Sequence, residues 1–206
     1  MSIITDAQPS PEDSARQADA RDRTDMEQLQ SGHDAALNDL MERHATPVFH
    51  FLCRMMGNED DANDLAQETF VRVFKSRDSY RTEQKFSTWL FTIAANLARN
   101  HFRWRSRHPN VSLDAENAET EQTLGSTLPA NSPAPNEEAL AIERAGAVRM
   151  AVKNLPEDLR EAMVLCEWEE RSVAEAATIL EATPKAVESR LYRARQILRE
   201  RLKSWL

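Results

Sequence analysis

Glycine is scarce in this 206-residue chain, with four residues, and aromatic side chains make up only 6% of it. So few glycines exclude the flexible, phosphate-cradling loops of nucleotide-binding enzymes, and so few aromatics argue against a sheet-based core. No apolar run approaches the roughly 18 residues that a membrane span requires, so no membrane insertion is expected. The opening residues, MSIITDAQPSPEDSARQ, have neither the basic start nor the apolar stretch of a secretory signal. The only cysteines, Cys53 and Cys166, each fall within an apolar helical stripe, which predicts buried free thiols rather than a disulfide. The expected location is cytoplasmic. His44, His50 and Cys53 have a loosely metal-like spacing, but the helical pattern there needs buried small residues, and no metal site is expected. No acid–base pair is evident, no cofactor is implied, and an enzyme is not expected.

The chain is rich in Ala, Leu, Glu and Arg, which predicts an all-α protein. Its net charge of −8 is unevenly distributed. Residues 1–30 hold seven acids against three arginines, and residues 108–138 hold six acids with no Lys or Arg. Residues 182–206 reverse the sign, with seven Lys and Arg against Glu188 and Glu200. The local field, not the net charge, governs contact with phosphate.

Composition and periodicity divide the chain into four parts. Residues 1–30 are acidic and lack apolar period, which predicts a mostly disordered arm. Residues 31–107 form the first helical domain. Its opening pattern runs through Leu37, Leu40, Met41, His44, Val48, Phe51, Leu52 and Met55, with a kink or a new helix start expected at Pro47. Gly57 and Asn58 mark the boundary before the next helix. Residues 108–136, with HPN, LPA and SPAPN, form a flexible acidic linker, and residues 137–206 form the second helical domain.

The second domain carries the plainest motif. Two short helical patterns, Ser172–Leu180 and Pro184–Leu202, flank a break at Glu181, Ala182 and Thr183. Thr183 can cap the second helix, and Pro184 suits its first position. Val187, Leu191, Ala194, Leu198 and Leu202 face inward, while Lys185, Ser189, Tyr192 and Arg193 face outward. A helix-turn-helix presenting Lys, Ser, Tyr and Arg to solvent is shaped for the DNA major groove.

The first domain carries two further surfaces. On the helix predicted over 59–76, Asp61, Asp64, Glu68, Arg72 and Lys75 share the face opposite an apolar arc. That face is either solvated or a docking surface for a partner's basic helix. On the helix predicted over Phe86–Arg107, Trp89, Asn96, Asn100, Arg103 and Arg107 share one stripe, with Tyr80 and Trp104 nearby in sequence. An aromatic, two amides and two guanidiniums suit a single nucleic-acid strand: the ring stacks bases, amides read edges and Arg neutralises phosphate.

Taken together, DANDLAQETFVRVFK (61–75), DSYRTEQKFSTWLFTIAANLARNHFRWRSR (78–107) and LPEDLREAMVLCEWEERSVAEAATILEATPKAVESRLYRARQIL (155–198) resemble the extracytoplasmic-function sigma factors of bacterial RNA polymerase. The resemblance implies a region 2 domain over 31–107, which binds core polymerase and recognises and melts the minus-ten element. It implies a region 4 domain over 137–206, which reads the minus-thirty-five element as duplex. By position, Asp61, Asp64, Gln67 and Glu68 would face the polymerase coiled coil. Asn96 and Asn100 would contact the melted strand, Tyr80 would help hold a flipped base, and Trp89 would lie in or beneath that site. The resemblance also implies an anti-sigma factor as a partner. Glu181 stands where the family's turn usually has Gly; a left-handed residue there would cost about 1 kcal/mol without Gly, so a looser or reshaped turn is expected. Glu188 stands where some members carry a base-reading Arg or Lys, which predicts a different minus-thirty-five sequence. The alternative is a conventional helix-turn-helix regulator whose first domain senses a ligand or partner.

Overall fold

The computed structural model describes residues 11–108 and 135–205, and every element in them is helical. Four helices make the first half: α1 (Pro11–Gln30), α2 (Ala36–Met56), α3 (Glu59–Lys75) and α4 (Phe86–Arg107). Four make the second: α5 (Pro135–Lys153), α6 (Glu157–Glu167), α7 (Val173–Ile179) and α8 (Pro184–Arg201). The linker expected over 108–136 lies, but for its ends, outside the described residues.

Local chemistry sets several of these boundaries. Gly57 ends α2 in the left-handed region at φ 68°, where its N–H donates to the Cys53 carbonyl. Asn58 then caps α3 by accepting from the Asp61 N–H, with Glu59, Asp60 and Asp61 at the positive end of the helix dipole. Pro47 neither ends nor restarts α2, which continues through it. Its helix-disrupting tendency is overridden by the burial of Leu40, Val48, Phe51, Leu52 and Met55 on one face. Cys53 and Cys166 are free and half-buried rather than fully enclosed.

Residues 11–30 are not the disordered arm that their composition predicts. They form α1, which packs on α2 and α4 through the fully buried Met26 and Leu29. Asp22, also buried, accepts from Arg43 Nε at 2.9 Å and pairs with His44 Nε2 at 2.8 Å, while Asp25 takes the other branch of the Arg43 guanidinium. Burial alone would raise the Asp22 carboxyl, but His44 and Arg43 outweigh it and hold it below the usual carboxylate range. A buried acid with two partners on the next helix is a tertiary signal, invisible to a scan for apolar period.

The two halves touch where α2 and α4 meet α5, α6 and α7. Arg160 of α6 donates to the Met55 carbonyl at 2.5 Å, and Arg171 donates to Ser87 Oγ at 3.0 Å. Arg99 of α4 lies 3.4 Å from Glu161, and Arg54 lies 3.2 Å from Glu169. Lys85 pairs with Glu175 at 3.0 Å. These contacts are charged and incompletely satisfied: Glu161 Oε1 and the Nε atoms of Arg160 and Arg171 are buried without a hydrogen-bond partner. Such a seam is polar in the manner of a separable interface.

Candidate nucleic-acid and polymerase surfaces

The two helices of the helix-turn-helix are built as their sequence predicts, while the turn is not reshaped as the missing Gly suggested. Ser172 and Glu175 close a capping box at the start of α7. Thr183 Oγ1 accepts from the Ala186 N–H at the start of α8, with Pro184 at the first helical position. Glu181 occupies the left-handed region at φ 51°, so the turn keeps the geometry that Gly ordinarily supplies. Glu170, also at φ 51°, is a second such residue that the sequence did not signal. Val187, Leu191 and Ala194 are buried, which turns Lys185, Glu188, Ser189, Tyr192 and Arg193 outward together. Tyr192 is 64% exposed and its hydroxyl accepts from Gln196 Nε2 at 2.8 Å. Arg193 lies 3.7 Å from Asp158, a contact weak enough to be exchanged for phosphate.

On α4, the face carrying Phe86, Leu90, Phe91, Ala94, Ala95, Leu97 and Ala98 is buried, and the stripe opposite it is open. Asn100, Arg103 and Arg107 are exposed, and Asn96 is half-exposed. Trp104 is 48% exposed and stacks on His108 at 5.0 Å between centroids. The second half packs beside this stripe, at Ser87 and Arg99, and leaves it uncovered. Trp89 is half-buried, 5.2 Å from the Tyr80 ring and 6.2 Å from Phe86.

Tyr80 is only 5% exposed, and its hydroxyl donates to the Gln84 carbonyl at 2.7 Å. It supports Trp89 from below rather than offering a face to a base. The loop carrying it is pinned by α1: Gln30 Nε2 donates to the carbonyls of Arg77 and Tyr80 at 2.8 and 3.0 Å. This role of α1 was not legible in the sequence.

On α3, Asp64 and Gln67 are exposed, and Glu68 accepts from Arg72 Nε at 3.0 Å. Asp61 is drawn away from that surface. Besides accepting from Asn58 Nδ2 at 3.1 Å, it lies 3.5 Å from His101 Nε2 and 3.4 Å from Arg105 Nη1, and so ties α3 to α4. Arg72 and Lys75 turn, with Ser76, into a groove against Ile93 and Asn96 of α4. Sequence reasoning had grouped both cations with the acidic stripe.

A helix-turn-helix with an outward basic face, and a second module with an open amide–guanidinium stripe, define a protein that is all-helical among the described residues and has two separate candidate surfaces for nucleic acid. The chain matches Sigma-70 region 2 over residues 40–108 and Sigma-70 region 4 over residues 145–198. It is 33% identical over 179 residues to the ECF RNA polymerase sigma factor SigW of Bacillus subtilis, covering 86% of this chain and 95% of that one. It is 34% identical over 182 residues to the ECF RNA polymerase sigma-E factor of Haemophilus influenzae, covering 88% and 95%. Among solved structures, CnrH in complex with the cytosolic domain of CnrY matches with a TM-score of 0.63 and 27% identity, over 89% of this chain and 98% of CnrH. The sigma factor RpoE of Bartonella quintana, solved with the anti-sigma factor NepR, shares the fold at a TM-score of 0.56 and 24% identity, over 81% and 96%. The chain belongs to the extracytoplasmic-function sigma factors, and so to the transcription initiation factors. A sensing domain over the first half, as in the conventional regulator, is set aside by the region 2 match. Among the described residues, no helix is long and apolar enough to cross a membrane.

Proposed function

We propose that this chain directs core RNA polymerase to promoters in the cytoplasm by a two-point grip, and acts as an initiation factor without chemistry of its own. Asp64, Gln67 and Glu68 of α3 dock on the polymerase coiled coil, with Asp61 holding the helix in place. Lys185, Glu188, Ser189, Tyr192 and Arg193 of α8 read the minus-thirty-five duplex. Asn96 and Asn100 read the melted minus-ten strand, Arg103 and Arg107 hold its phosphates, and Trp89, braced by Tyr80, stacks at its edge. The observation that carries this reading is that both surfaces are open on separate modules while the apolar faces beneath them are buried.

The energetics need no ATP. Extruding a base costs a few kcal/mol, and stacking recovers roughly 1–3 kcal/mol per base, so tighter binding to the strand than to the duplex drives opening. Regulation by an anti-sigma factor accords with the family and with CnrH, whose structure is a complex with the cytosolic domain of CnrY.

The reading is tested by separating strand from duplex. Asn96→Ala in the reconstituted holoenzyme should reduce promoter opening, followed by permanganate reactivity, at least tenfold more than it reduces closed-complex binding. Arg193→Ala should weaken the closed complex by about 1–3 kcal/mol and leave strand capture intact. Equal losses at both steps for Asn96→Ala would remove α4 from strand reading.

A further inference from the structure

The 76–85 loop joins α3 to α4, and it is fastened by α1, a helix with no task in the docking and reading surfaces. Both amide protons of Gln30, the last residue of α1, are engaged in it. Nε2 donates to the Arg77 carbonyl at 2.8 Å and to the Tyr80 carbonyl at 3.0 Å. These carbonyls stand at the two ends of the 3-10 turn Arg77–Ser79, which the Tyr80 N–H closes on Arg77 at 3.1 Å. At the far end of the loop Lys85 lies 3.7 Å from Asp19, about three turns back along α1. Gln30 is itself fixed. Leu29 beside it is fully buried, and Ser31 donates from both its N–H and its Oγ to the Glu27 carbonyl before Gly32 turns the chain away at φ 90°.

The carbonyls of a part-buried turn need donors wherever the turn lies, and that alone is a purely structural use for Gln30. A second use comes from what the turn carries. Tyr80 is buried, its hydroxyl donates to the Gln84 carbonyl, and its ring lies 5.2 Å from Trp89. The place of the Tyr80 backbone therefore fixes the height of Trp89, the aromatic assigned to the edge of the melted strand. Stacking gives its full gain only where the ring is already held, because a ring ordered on binding loses part of that gain. Asn96 and Asn100 stand about two and three turns farther along α4, beyond this relay.

We propose that Gln30 is a positioning residue for promoter opening: through the Tyr80 carbonyl it sets the stacking position of Trp89, and α1 thereby splints the strand-reading edge without touching DNA. This rests on the assignment of Trp89 to the melted strand and gives α1 a part in that step. Because Gln30 acts through Tyr80 and Trp89, its loss is confined to the base that Trp89 meets.

The test uses reconstituted holoenzyme and fork-junction DNAs from a mapped promoter, each with an abasic site at one position of the single-stranded minus-ten segment. Trp89→Ala identifies the position at which a missing base no longer costs affinity. In Gln30→Ala the cost at that position should fall from roughly tenfold to about twofold, and open-complex formation should slow by roughly five- to tenfold. The costs at the positions lost in Asn96→Ala and Asn100→Ala should stay as in the wild type, and so should affinity for core polymerase. Gln30→Glu, with the same shape but no donor, should do at least as badly as Gln30→Ala, whereas Gln30→Lys, which restores a donor, should recover part of the loss. The double variant Gln30→Ala, Trp89→Ala should be no worse than Trp89→Ala alone. An unaltered cost at the Trp89 position in Gln30→Ala overturns the proposal, and so does an equal reduction at every position, which would make Gln30 a stability residue only. If Trp89→Ala singles out no position while Asn96→Ala does, stacking by Trp89 fails and takes the role of Gln30 with it, and strand reading by α4 stands.

Discussion

Glu161 shows how much one buried carboxyl can carry. It is 4% exposed in α6, and burial pushes its pKa up from 4.5 to about 7, against the pull of Arg99 on α4 and Arg190 on α8. Glu157 and Asp158, on its own helix, push the same way as burial. Between pH 4.5 and 7 the folded state therefore holds a proton that the unfolded chain releases, so stability from this group falls as pH rises through that window. Above pH 7 the ionised, buried carboxylate is a net cost. Glu161→Gln imitates the protonated form. It should be more stable than wild type at pH 8 by on the order of 2 kcal/mol, a shift of a few degrees in Tm, with the difference disappearing near pH 4.5. Thermal melts at the two pH values check this, and an equal difference at both would exclude the titration of Glu161. Residue identities alone could not have announced this group: its burial comes from α6 meeting α4, far away in sequence. The same holds for Asp61 and Tyr80, whose types suggested surface roles and whose partners, His101 and Gln84, give them internal ones. Glu181 departs the other way: without Gly a looser turn was expected, and the residue takes the left-handed conformation at φ 51° instead.

At the scale of elements, α3, α7 and α8 were legible because their N-termini are chemically marked, and α4, which has no side-chain cap, because its apolar period is unbroken. Asn58, Thr183 and the Ser172–Glu175 box stop or start helices whatever lies around them. The helix α1 was not legible. Its buried contribution is concentrated in Met26, Leu29 and the charged Asp22, and only α2 and the 76–85 loop reveal what these residues face. If α1 is part of the first domain, deleting residues 1–30 removes two fully buried apolar side chains, worth roughly 1.5–3 kcal/mol each, and leaves Arg43 and His44 without Asp22. The truncated chain should melt at least about 5 °C below the full chain and should leave the Tyr80 loop more open to proteolysis. An unchanged midpoint would return this segment to the status of an appended arm.

At the scale of the molecule, the closed arrangement and the promoter are incompatible. Elements named for positions minus ten and minus thirty-five lie about 25 base pairs apart, or about 85 Å at 3.4 Å per step. Yet Arg99 of α4 reaches the Ile179 carbonyl of α7 at 3.5 Å, so α4 and the helix-turn-helix are neighbours. The 27 residues from 108 to 134 could span about 95 Å if extended, enough to let the halves part. The seam between them suits separation, because the buried Nε atoms of Arg160 and Arg171 and Oε1 of Glu161 lack hydrogen-bond partners and regain water when it opens. Fluorophores placed on the exposed positions Ser106 and Ser204 should therefore show high transfer in the free protein and low transfer in the holoenzyme bound to a promoter. Transfer that stayed high on the promoter would mean that one of the two surfaces is not in contact with DNA.

The central claim is that two modules of one chain confer promoter choice on a polymerase that lacks it, and transcription reconstituted from purified parts tests it most directly. Core polymerase, genomic DNA fragments and the full chain should give discrete transcript starts that core alone does not give. Asn96→Ala should suppress those starts while the holoenzyme still forms. Tight, autonomous binding of the free chain to duplex DNA, with no association with core and no new starts, would contradict the account.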